Sequence, residues 1–180
     1  MLENGDLIFV RDGSDMGQAI QTSTGNYSHV AIYTGNYSHV AIYLDGMIYH
    51  ASGQAGVVCQ EPADFFESNH LYDLYVYPEM DIQSVKERAC KHLGAPYNAS
   101  FYPDAAGFYC SQYIAEILPI FETIPMKFGD GEQEISDFWR EYYIELGLPV
   151  PLNQAGTNPS QLAASPLLQC KERNLHDSDF

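Results

Sequence analysis

The sequence predicts an α+β fold, a small and mostly antiparallel β-sheet packed against helices. Two observations carry this. Short β-type segments bounded by Gly, Asp and Asn crowd the first 77 residues, whereas three-four periodicity starts only at Asp81. No Pro/Gly/Ser-rich stretch separates the halves, so residues 1–180 are expected to form one domain. In order, Leu7-Ile8-Phe9-Val10 follows Gly5-Asp6 as a first strand, and Asp15 to Thr22 suits a short helix. Ser38 to Tyr43 has a period of two, with Val40 and Ile42 on one face and His39 and Tyr43 on the other. Asp45-Gly46 is a hairpin turn signal, so Met47-Ile48-Tyr49-His50 returns alongside. Gly56 to Cys59 and Leu71 to Tyr77 supply two more strands. Asp81 to Leu93 carries Ile82, Val85, Ala89 and Leu93 as a buried stripe and stops at Gly94. Cys110 to Leu118 is a second helix ended by Pro119. Glu134 to Leu146 is a third, with Ile135, Phe138, Trp139, Tyr142 and Leu146 inward. The tail from Pro149 reads as turn-rich, apart from a short helix from Pro159 to Ala164 capped by Asn158.

Composition removes whole function classes. With 46% apolar and 18% charged residues the chain is neither disordered nor a coiled coil. Eight basic against 24 acidic residues give a formal charge of −16, which repels phosphate backbones and anionic lipid, so no nucleic-acid partner is expected. No apolar run approaches the roughly 20 residues of a membrane span. The start, Met-Leu-Glu-Asn-Gly-Asp, lacks a basic segment and apolar core. The expectation is therefore a cytoplasmic protein, or a periplasmic or extracellular one if a leader has been removed. Cys59, Cys90, Cys110 and Cys170 have neither metal-finger nor redox spacing and read as free thiols, with Cys59, Cys90 and Cys170 structural. The Asn-x-Ser triplets at Asn26, Asn36 and Asn98 read as chance.

Thr24-Gly-Asn-Tyr-Ser-His-Val-Ala-Ile-Tyr33 is repeated at once as Thr34 to Tyr43, giving two equivalent histidines, His29 and His39. Cys110 stands at a helix start, where unpaired N–H groups and the dipole favour a thiolate, and where the Cys110 and Ser111 N–H groups suit an oxyanion. A buried apolar cysteine is the plain alternative. His39 and His50, on the two arms of one hairpin, have the geometry of a base and its orienter. The alternatives are a solvated strand face or, ranking below the triad, a zinc site made with Cys110. His70, His92 and His176 read as surface residues.

Gly5-Asp6-Leu7-Ile8-Phe9, Tyr-Ser-His-Val-Ala-Ile-Tyr, Ile48-Tyr49-His50-Ala51 and Tyr109-Cys110-Ser111-Gln112, in that order, resemble the permuted papain-like amidases. These are the YaeF/YiiX-like branch of the NlpC superfamily, in which histidine precedes cysteine. Gly94 to Phe101 and Gly156-Thr157-Asn158-Pro159 match further family stretches. The resemblance implies a small sheet or partial barrel against helices, with Cys110 as nucleophile, a Tyr-Ser-His histidine as base and His50 in the third, polar position. Relatives often have Tyr-Asp at Tyr97-Asn98 and Glu at the third position, and the duplication is no family feature. The implied activity is amide hydrolysis of small peptide-like substrates, such as cell-wall stem peptides, through a thioester and without a cofactor. A lipid or acyl transferase, a thioesterase, or a non-catalytic binding module that can hold zinc are the alternatives.

Connectivity selects His39 over His29. Only the second copy runs straight into Asp45-Gly46 and the strand of His50, whereas ten extra residues in the preceding loop cost little closure entropy. The displaced copy is then expected as a loop or edge strand, through which a homodimer would form.

Overall fold

The computed structural model describes residues 1–24, 37–67 and 70–180. Its elements are β1 (Leu7–Arg11), α1 (Asp15–Thr24), β2 (His39–Leu44), β3 (Met47–Ser52), β4 (Gly56–Gln60), α2 (Pro62–Phe65), β5 (Leu71–Val76) and α3 (Ile82–Lys91). They continue with α4 (Cys110–Ile117), β6 (Ile124–Pro125), α5 (Asp137–Leu146), β7 (Ala155–Gly156), α6 (Pro159–Ala163) and β8 (Gln169–Leu175). The main sheet runs β4-β3-β2-β1-β5-β8 with every neighbour antiparallel, and β6 pairs with β7 separately. With β4 at one edge and β8 at the other, it is open and not a closed barrel.

The central strand β1 is buried on both faces, which is why its sequence is a continuous apolar run rather than an alternation. Leu7 and Phe9 join Val40 and Ile42 on the face covered by α3 and α4, through Val85, Ala89, Tyr113, Ile114 and Ile117. Ile8 and Val10 join Ala41 and Ile48 on the other, against Phe65 of α2. Asp45 (φ 48°) and Gly46 (φ 89°) make the tight turn between β2 and β3, setting Ile42 opposite Tyr49.

Just before β2 the chain is pinned from several sides. Tyr37 is fully buried, its hydroxyl donates to Asp73 Oδ2 at 2.5 Å, and its N–H donates to Ser160 Oγ at 2.9 Å. Asp73 also pairs with Arg11 at 2.9 Å. Ser38 N–H donates to the Val10 carbonyl at 2.9 Å, and Ser38 Oγ to Asp12 Oδ2 at 2.6 Å.

Three expectations change. The tail is not turn-rich throughout: Gln169–Leu175 forms the edge strand β8, whose polar sequence reflects partial exposure. The third long helix starts at Asp137 behind the Ser136 cap, and buries Trp139 and Tyr143 while Leu146 is exposed. The exposed Leu93 leaves the α3 stripe at Val85 and Ala89. Of the first repeat copy only Thr24, the last residue of α1, is described; His29, Asn26 and the displaced strand lie outside the described residues.

Candidate functional site

Cys110 opens α4, and the loop before it is shaped by Gly107. That residue sits at φ 84°, and a Cβ there would lie 1.9 Å from the Pro96 carbonyl oxygen, so only glycine fits. The capping residue Tyr109 has its N–H bonded to Gln112 Oε1 at 3.2 Å, and its hydroxyl accepts from Thr157 N–H at 3.0 Å. Asn98 is buried and donates to the Tyr102 carbonyl (2.9 Å) and Gln112 Oε1 (3.3 Å), a structural role in the same loop rather than a glycan acceptor.

The thiol is buried against the backbone on either side of His39. Cys110 Sγ lies 4.0 Å from the Ser38 carbonyl, and the N–H groups of Val40, Ser111 and Cys110 itself face it. Those donors favour the thiolate, but burial outweighs them and pushes the thiol up to about 12. The helix start alone would suggest a readily ionised cysteine, so desolvation reverses that expectation. Cys59, Cys90 and Cys170, read as structural, are exposed and free.

His39 and His50 meet across β2 and β3, with His39 Nε2 2.9 Å from His50 Nδ1 and the rings at 89°. Both lie near Phe65, ring centroids 6.3 and 5.1 Å away. His50 Nε2 lies 3.1 Å from Gln60 Oε1 at the end of β4. An amide oxygen only accepts, so His50 carries its proton on Nε2 and presents a lone pair at Nδ1. His39 Nε2–H donates to that lone pair, which leaves His39 Nδ1 unprotonated. Burial, reinforced by His50, lowers His39 to about 3, and burial likewise lowers His50 against the opposing Gln60 bond. Both imidazoles are neutral near pH 7.

The structure thus brings His39 and His50 together as the hairpin implies, and sets Cys110 against the strand that carries His39. It makes no hydrogen bond from Sγ to either imidazole. Gln60 is the residue the sequence reading missed. It stands opposite Ile48, on the same face as His50, one position past the expected strand end at Cys59. His70 does not stand apart as expected, since it lines the same trough as His39 and His50 and pairs with Glu67 at 3.7 Å. His92 pairs with Glu116 at 3.4 Å, far from that trough in sequence, and His176 is exposed. Among the described residues no three of His, Cys, Asp and Glu converge to hold a metal ion. None of the described helices is long and apolar enough to cross a membrane.

A family model described as the permuted papain-like amidase enzyme, YaeF/YiiX, C92 family, matches residues 1–170. A crystal structure of the metalloprotein yiiX from Escherichia coli O157:H7 is similar with a TM-score of 0.74 at 20% identity. The match covers 96% of this chain and 97% of that one. No curated protein matches the chain.

Proposed function

Since the chain belongs to the permuted papain-like amidases of the YaeF/YiiX family, an enzyme family of cysteine hydrolase type, we propose that it cleaves an amide bond of a small peptide-like or acyl substrate at Cys110, with His39 as base and His50 as its orienter. The polarised chain Gln60–His50–His39 carries the reading, because it leaves the base nitrogen, Nδ1, unprotonated. Sγ attacks the carbonyl carbon as His39 Nδ1 takes the thiol proton. A neutral thiol beside a neutral imidazole makes this transfer part of the attack rather than a step before it. Catalytic hydrogen bonds are often long before substrate binds, and the backbone contact of Sγ with Ser38 already places it beside the strand that bears the base.

The oxyanion lies against the α4 start, near the Cys110 and Ser111 N–H groups. Collapse breaks the C–N bond, and His39 returns the proton to the leaving nitrogen. Water, deprotonated by His39, then cleaves the thioester, releasing the acid and restoring the thiol. The fold relative is described as a metalloprotein. Here the facing nitrogens of His39 and His50 are bonded to each other, and among the described residues no third His, Cys, Asp or Glu joins them to hold a metal ion. Intact mass after incubation with peptide, ester and thioester probes tests the reading. An acyl adduct that maps to Cys110, and is lost in Cys110→Ser together with at least about a hundredfold of turnover, is the expected result. Full turnover by Cys110→Ser would move the chemistry elsewhere.

A further inference from the structure

Two cavities open on the strand segment around His39, and they are unlike. One, of about 50 Å³, is lined by Cys110 and Ser111 together with aromatic and thioether side chains, among them Phe101, Met126, Phe128 and Trp139. The other, a polar trough of about 650 Å³, holds His39, His50 and Gln60 with Asp12 and Asp64. Ser38 and Tyr97 line both, so the two meet at the wall between sulfur and imidazole. Trp139 is 2% exposed, and its Nε1–H is buried with no acceptor among the described residues. Buried donors without partners are uncommon enough to call for an explanation.

We propose that the small cavity is the acyl subsite and takes a short apolar acyl group bearing one hydrogen-bond acceptor, while the amine half of the substrate occupies the trough. This rests on the assignment of Cys110 as nucleophile and His39 as base. The tetrahedral carbon carries four substituents: the sulfur, the oxyanion, the leaving nitrogen and the acyl carbon. The nitrogen must face His39 to receive its proton, and His39 lies in the trough. The oxyanion faces the helix N–H groups. That leaves the acyl carbon directed into the cavity lined by Cys110 but not by His39. Fifty cubic ångströms is room for about four water-sized positions, which limits the chain beyond the carbonyl to about four heavy atoms. The walls are largely apolar although Lys127 also lines them, and an oxygen on the acyl chain gives the Trp139 N–H its missing acceptor.

The test uses coumarin amides of one leaving group with acetyl, butyryl, 3-hydroxybutyryl and octanoyl chains, assayed on the wild type, Met126→Ala and Trp139→Phe. The wild type should prefer butyryl over octanoyl by at least about tenfold in kcat/KM, and 3-hydroxybutyryl over butyryl. Met126→Ala, which enlarges the cavity, should move the chain-length optimum upward. Trp139→Phe should abolish the 3-hydroxybutyryl preference. Each readout is a ratio within one protein, so loss of folded material does not imitate it. Octanoyl and butyryl turned over equally by the wild type, or ratios unchanged in both variants, would overturn the subsite while leaving the hydrolase intact. If no acyl donor, including thioesters, ever modifies Cys110, the hydrolase reading itself fails and this inference with it.

Discussion

A small aromatic disulfide should modify Cys110 at least about thirtyfold more slowly in the folded protein than in the unfolded chain. Burial lifts this thiol from its ordinary 9.0 to about 12. At any fixed pH well below 9 the thiolate population therefore falls by about a thousandfold. The more basic thiolate is the better nucleophile, which recovers about 15- to 30-fold over that interval. The quotient is a retardation of about 30- to 60-fold from ionisation, and limited access to a residue only 5% exposed lengthens it. Cys59, Cys90 and Cys170 are exposed and serve as internal standards, reacting at similar rates in both states. The assay is a quenched time course at pH 7.5 with and without urea, each cysteine followed by peptide mass. If Cys110 were the fastest of the four in the native protein, the reasoning would be refuted. Such a result would mean that an ion pair with His39 already exists before substrate arrives.

Among the remaining predictions, His39→Ala should lose at least about a hundredfold in turnover and His29→Ala less than about twofold, measured on the same amide probe. His50→Ala should lower turnover less than His39→Ala does, because an orienter sets the tautomer while the base moves the proton. Gln60→Glu, which can only accept, should preserve turnover, whereas Gln60→Lys, which can only donate, should force the opposite tautomers and lower it by about tenfold or more. Equal rates for the two would remove Gln60 from the relay. Acid should destabilise the fold between about pH 6.5 and pH 3. His39 binds a proton in the unfolded chain throughout that window but not in the native state, so stability present above 6.5 is lost as pH falls. At 1.36 kcal/mol per unit the loss from this residue is at most about 5 kcal/mol. Urea midpoints should fall more steeply over this range for the wild type than for His39→Gln.

Local patterns made most of the sheet readable. The Val40/Ile42 alternation, the Asp45-Gly46 turn and the return strand place His39 next to His50 from side-chain parity alone. Tyr109-Cys110-Ser111-Gln112 before an apolar stripe gives the helix start, since capping and amphipathicity are both local. What could not be read depends on pairings distant in the chain. β8 is polar because it lies on an edge, and its strand character comes from β5, more than 90 residues away. Gln60 acquires a role only once β4 is registered against β3. The raised ionisation of Cys110 is not legible either, because a helix terminus is visible in sequence and desolvation is not. His29, its repeat copy and dimerisation through it rest on residues 25–36, which the described structure does not include.

The anchoring of Tyr37 and Ser38 bears on how this gene segment can evolve. Deleting either ten-residue copy yields one and the same sequence, so in the shorter protein the two histidines become a single residue. Tyr-Ser-His then still precedes Val-Ala-Ile-Tyr, and the partners that fix it, Asp73, Ser160, Val10 and Asp12, all lie outside the repeat. The pinned dipeptide behaves as a fixed boundary: chain length can change upstream of it without the change being transmitted to the strand. An insertion of the same ten residues after Ile42 would have no such boundary, because it would fall inside the hairpin whose register pairs Ile42 with Tyr49. The duplication therefore sits where the fold tolerates gain or loss of length, a few residues from a strand where it does not.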